Sequence, residues 1–82
     1  MEEINYAGLL REMVRGLVDE PEAIEITADE PNDQGIVVYH LHVAADDMGR
    51  VIGKQGKIAN ALRAIMRAVA NRRDDMVQVD ID

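Results

Sequence analysis

The sequence predicts a two-layer α+β domain with the element order α-β-β-α-α-β, a three-stranded sheet carrying its helices on one face. Three observations lead there. The 82 residues, 48% hydrophobic and 30% charged, supply one core and are too few for two, so residues 1–82 are expected to form a single domain. In three stretches apolar and polar residues alternate, the period of a half-buried strand. In two others the apolar residues recur every three to four positions, the period of a helix with one apolar face.

The elements follow in order. Leu9, Leu10, Met13, Val14, Leu17 and Val18 recur in adjacent pairs, so a first helix is expected from about Tyr6 to Val18, capped by Asn5 and blocked from continuing by Pro21. Ile24, Ile26 and Ala28 alternate with Glu25, Thr27 and Asp29. After the turn residues Pro31 to Gly35, the residues Val37, Tyr39, Leu41 and Val43 alternate with Ile36, Val38, His40 and His42, and the two stretches read as a hairpin. Asp46 or Asp47 can cap a helix of one to two turns ending near Ile52. A long helix is expected from about Lys57 to Arg72, where Arg72 and Arg73 suit its negative end. Val77, Val79 and Ile81 then alternate with Gln78 and Asp80. The sheet is expected to be mainly antiparallel, with its second face open.

Composition excludes several function classes. No apolar run approaches the about 20 residues that a spanning helix needs. The start, Met1-Glu2-Glu3-Ile4-Asn5, lacks a basic region followed by an apolar stretch, so no secretory signal is read and a cytoplasmic location is expected. Without cysteine there is no disulfide framework, zinc knuckle or thiol nucleophile. Tyr6 and Tyr39 are the sole aromatics, which argues against base stacking on exposed rings. No hydrolase triad cue, Walker loop or dinucleotide fingerprint stands out, and no enzyme is expected. His40 and His42 share a strand face, but two imidazoles lack the further ligands of a zinc site, so neither metal nor cofactor is expected.

Net charge is −7, yet the charges are segregated. Arg50, Lys54, Lys57, Arg63, Arg67, Arg72 and Arg73 stand in one stretch without an acid, giving +7; the rest of the chain has Arg11 and Arg15 against all 16 acids, giving −14. An acidic body with one basic face suits an anionic ligand confined to that face.

Within the basic stretch lies Gly49-Arg50-Val51-Ile52-Gly53-Lys54-Gln55-Gly56-Lys57-Ile58. Two glycines three apart at a junction between helices let the backbone approach another backbone, and the helix that follows offers free N–H groups to a phosphate. Lys54 and Lys57 would supply charge.

With Val51-Ile52-Gly53-Lys54-Gln55-Gly56 as its most specific part, the chain resembles the KH domain in its bacterial, type II arrangement, whose GXXG loop clamps about four nucleotides. Over its whole length it is similar to the small bacterial single-KH proteins of the KhpA (YlqC-type) family. That resemblance implies a cytoplasmic RNA chaperone that binds single-stranded RNA, pairs with itself or with a KhpB (Jag-type) KH protein, and acts in cell elongation and envelope homeostasis. The RNA-binding residues it implies are Arg50, Val51, Ile52, Gly53, Lys54, Gln55, Gly56, Lys57, Ile58 and Arg63, with the groove between the two helices and the Val37–Val43 strand. Ala59 stands where the general pattern has a large aliphatic, which would thin the apolar wall for bases. A competing reading is a dimerisation or scaffold module with weak RNA affinity of its own.

A homodimer is expected from the long helix. Ile58, Leu62, Ile65 and Val69 cluster within about 40° as the core stripe. Met66, Ala59 and Ala70 on one side, with Ala61, Ala64 and Ala68 on the other, widen the apolar arc beyond the about 100° that a surface helix needs. Ala61, Ile65 and Met66 are the expected contacts between copies.

Overall fold

The computed structural model describes residues 4–82; Met1, Glu2 and Glu3, part of the start on which the signal expectation rests, lie outside the described residues. Helix α1 (Tyr6–Arg15) begins where the Asn5 side chain accepts the Gly8 N–H at 2.9 Å. It stops at Gly16, short of the expected Val18. The N–H groups of Asp19 and Glu20 are instead held at 3.1 Å by the Asp47 carboxylate, which draws the chain away from the helix axis. Tyr6, Leu10 and Val14 are its buried face.

Strands β1 (Glu25–Ala28) and β2 (Ile36–His42) form the expected hairpin, Glu25 opposite His42 and Ala28 opposite Tyr39. Its turn is tied by Asn32, whose side chain accepts the N–H groups of Gln34 and Ile36. After α2 (Met48–Ile52) and α3 (Lys57–Asn71), β3 (Met76–Ile81) pairs with β2 in parallel, Ile36 opposite Met76 and Leu41 opposite Ile81. The sheet is therefore mixed, order β1-β2-β3, and the mainly antiparallel expectation is corrected: two intervening helices carry the chain from the His42 end of β2 back to its Ile36 end, so β3 runs in the same direction, and alternation alone carries no direction.

The helices cover one face, and the core joins Leu10, Val14, Ile24, Leu41, Val43, Val51, Leu62, Met66, Ala70 and Val79. On α3 the buried residues are Ala59, Leu62, Met66 and Ala70, a stripe turned about 80° from the expected one. The smallness of Ala59 and Ala70 lets the helix approach its neighbours, so the core takes those alanines and leaves Ile65 at 46% exposure. At the other end of α3, Asp74 adopts a positive φ of 60° and Asp75 accepts the Tyr6 hydroxyl at 2.5 Å. Burial and that bond push the tyrosine up to about 12.

Asp47 is 1% exposed. It occupies the N-cap position of α2 without capping it; its two oxygens reach 27 and 28 residues back to Glu20 and Asp19. The expected local cap is a long-range staple.

Candidate nucleic-acid interface

Gly53 ends α2 with φ 77° and ψ 174°, a conformation essentially restricted to glycine. A Cβ there would lie 2.6 Å from Ile58 Cγ1 and 2.9 Å from the Ile58 backbone nitrogen. Ile58 thus folds back over the loop because Gly53 has no side chain. Residues 54–56 form one tight turn, with Gln55 (φ 58°) and Gly56 (φ 76°) both left-handed, closed by Gly56 N–H donating to the Gly53 carbonyl at 3.2 Å. Around Gly56 a Cβ would meet nothing nearer than Asn60 at 3.9 Å.

Gly56 is also the N-cap of α3 and offers no side-chain cap. The first N–H groups of that helix point toward the loop with the positive end of the helix dipole behind them. Lys54, Gln55 and Lys57 are exposed around this opening. Among the described residues neither lysine makes an ion pair or side-chain hydrogen bond. Backbone donors, a positive helix end and two unpartnered ammonium groups converge on one opening, an arrangement suited to an anion.

The other expected site residues divide. Ile52, at 38% exposure, and half-buried Ile58 flank the loop as apolar surface. Val51 is fully buried; it anchors α2 in the core and has no surface to give a ligand. Arg50 turns away from the loop, its guanidinium 2.6 Å from Asp19 and 3.8 Å from Asp47. Arg63 donates through Nε to the Val79 carbonyl at 3.2 Å, linking α3 to β3. Ala59 is buried in the core, so it does not thin a wall for bases.

The expected groove moves as well. β2 is paired along both edges, whereas β3 has one free edge, and α3 packs beside it. A groove of about 730 Å³ runs there, with Arg63 and Arg67 on the helix side and Val38, Gln78 and Asp80 on the sheet side. Arg67, read from sequence as one of the basic run, stands four residues after Arg63 on the same helix face.

On the uncovered sheet face His40 of β2 links β3 to the residue just past β1, Nε2 2.8 Å from Asp29 and Nδ1 3.1 Å from Asp80. The hydrogen bonds to Asp29 and then Asp80 raise its pKa above the ordinary histidine value. No cluster of three or more metal-binding side chains occurs among the described residues.

For contact between copies, Ala61, Ala64, Ile65 and Ala68 form an exposed apolar strip on α3. Met66 is fully buried, which corrects its expected part in such a contact.

A family model described as KhpA/KhpB, KH domain, matches residues 7–81. Proteins named RNA-binding protein KhpA are similar over 73 residues: one from Listeria monocytogenes at 42% identity, covering 89% of this chain and 93% of that protein, and one from Caldanaerobacter subterraneus subsp. tengcongensis at 40%, covering 89% and 95%. The crystal structure of Aquifex aeolicus Era aligns with a TM-score of 0.64 at 20% identity over 93% of this chain and 29% of Era's, a likeness of fold.

Proposed function

The chain belongs to the KhpA/KhpB family of KH domains, and on that premise we propose that it binds single-stranded RNA through the Gly53–Gly56 loop. The observation that carries this is the loop's convergence of unpartnered Lys54 and Lys57 on the uncapped start of α3. The acidic body, −14 outside the basic stretch, keeps RNA to that face. Phosphates meet the loop while Ile52 and Ile58 offer apolar surface to the first bases. The RNA-chaperone role, the cytoplasmic setting and the tie to cell elongation and envelope homeostasis are carried by the family resemblance and form part of the same proposal.

The test replaces Lys54 and Gln55 together by Asp. Both side chains are exposed and both glycines stay, so circular dichroism should be unchanged while fluorescence anisotropy with single-stranded RNA shows affinity lost by at least about tenfold. Unchanged affinity refutes the clamp.

Self-association is the second part, supported by the exposed Ala61–Ala64–Ile65–Ala68 strip. Small alanines permit close helix approach and Ile65 anchors a two-fold contact; the same strip serves a KhpB-type partner. Light scattering should give the mass of two chains, reduced to one by Ile65→Asp. A single-chain mass for the unmodified protein refutes the homodimer.

A further inference from the structure

We propose that Asp47 is a positioning residue for RNA: by bolting α2 to the connection between α1 and β1, it holds the Gly53–Gly56 loop in its binding shape. This rests on the RNA-binding reading above and concerns how the loop is held; buried Asp47 acts through α2 and touches no nucleotide.

The route from the carboxylate to the loop is short. Asp47 stands six residues ahead of Gly53, about 9 Å along α2. Its oxygens accept the N–H groups of Asp19 and Glu20 at 3.1 Å, and the connection that carries these donors is itself fixed. The Glu20 and Pro21 carbonyls accept the N–H groups of Ala23 and Ile24, Arg11 donates to the Ile24 carbonyl at 3.4 Å, and the Ile24 side chain lies in the core. Within α2, Val51 is fully buried and serves as a pivot. At the far end Gly53 lies so close to Ile58 that no Cβ fits between them. A five-residue helix held at its start, buried within and stopped at its end has one allowed tilt.

That tilt sets what an RNA strand meets. Ile52 ends α2 and Ile58 lies in the first turn of α3, so the two apolar surfaces beside the loop belong to different helices. Releasing the start of α2 lets it turn about Val51, which moves Ile52 and Gly53 against Ile58. Lys54 and Lys57 then keep their charge but no longer converge with the first N–H groups of α3. Electrostatics alone gives the opposite sign. Removing the Asp47 carboxylate takes a negative charge from behind the loop and loosens Arg50, whose guanidinium lies 3.8 Å from it; both changes would strengthen the attraction for RNA. A positioning role therefore shows as affinity lost when a negative charge is lost.

The experiment compares two staples. Asp47→Asn keeps the shape of the side chain but leaves one acceptor oxygen for two N–H groups. Asn32→Ala removes a staple of the same size, the side chain that accepts the Gln34 and Ile36 N–H groups at 2.9 and 3.0 Å in the turn between β1 and β2. Fluorescence anisotropy with single-stranded RNA, on samples that circular dichroism shows to be folded, should give an affinity about fivefold lower for Asp47→Asn and unchanged for Asn32→Ala. A merely structural role lowers Tm in both variants and affinity in neither. Equal or tighter binding by Asp47→Asn, or an equal loss in Asn32→Ala, overturns the proposal. Hydrogen exchange on the unmodified chain reads the same coupling with no substitution, and decides the matter if Asp47→Asn does not fold. Because coupling is reciprocal, saturating RNA should slow exchange of the Asp19 and Glu20 amides by about fivefold while the Gln34 and Ile36 amides keep their rates. Rates at Asp19 and Glu20 that bound RNA leaves unchanged overturn the positioning role alone. If the unmodified chain binds no RNA, the RNA-binding reading falls and the positioning role with it.

Discussion

Replacing each loop glycine by alanine separates what the loop needs sterically from what it needs conformationally. At Gly53 the backbone conformation is essentially glycine-only, worth about 1–3 kcal/mol of strain for alanine. The new Cβ would also stand 2.9 Å from the Ile58 nitrogen, inside the first turn of α3, so the helix start must shift at a further cost of about 1–3 kcal/mol. At Gly56 the left-handed conformation costs alanine about 1–2 kcal/mol, and the space is open. Alanine stiffens the unfolded chain equally in both variants, so that contribution cancels in the comparison. Gly53→Ala should therefore be the less stable by about 2–3 kcal/mol, which for a domain of this size lowers Tm by about 10–20 °C relative to Gly56→Ala. Urea and thermal unfolding followed by circular dichroism measure it directly. Equal destabilisation, or a larger loss at Gly56, refutes the reasoning that Ile58 packs over the first glycine.

Three further outcomes follow from the geometry. Asp47→Ala removes the acceptor of two backbone N–H groups and should destabilise by about 2–4 kcal/mol in urea unfolding; a loss below about 0.5 kcal/mol would mean that water replaces the staple. His40 gains its partners in the folded state, which raises its folded pKa above the unfolded one. Its stabilising contribution is fully present below the unfolded pKa, near 6.5, and is lost as pH rises through the folded value. The stability difference between the unmodified chain and His40→Gln should accordingly shrink from pH 5.5 to pH 8.5, and a difference that grows refutes the assignment. For RNA, Lys54, Lys57 and Arg63 predict a log affinity against log salt slope of about −2; a slope near zero favours the scaffold reading.

Much of the fold was legible because the strand pattern has a period of two: the residues expected on each face of β2 are the ones found there, with Leu41 buried and His40 on the uncovered face. The loop was legible because glycine spacing and charge segregation are both local properties. What escaped the sequence was pairing at a distance. Arg50 reads as one of a run of bases until the fold brings Asp19 to 2.6 Å from it. Asp47 reads as a cap by position, and only the path of the chain after α1 shows where its oxygens go. The phase of α3 was missed because a hydropathy wheel gives Ile65 more weight than Ala59 or Ala70, whereas packing selects the face that fits closest against the sheet.

The parallel pairing of β2 with β3 has a consequence in the timing of synthesis. Met76 must be made before the partner of Ile36 exists, and those 40 positions take about 2–8 s at ordinary elongation rates. Until β3 is made, β2 can pair along one edge only, and the Gly53–Gly56 loop is in place in the chain about 20 positions before the strand that closes the sheet. Only the last strand to be made pairs the second edge of β2 and completes the sheet beneath the helices.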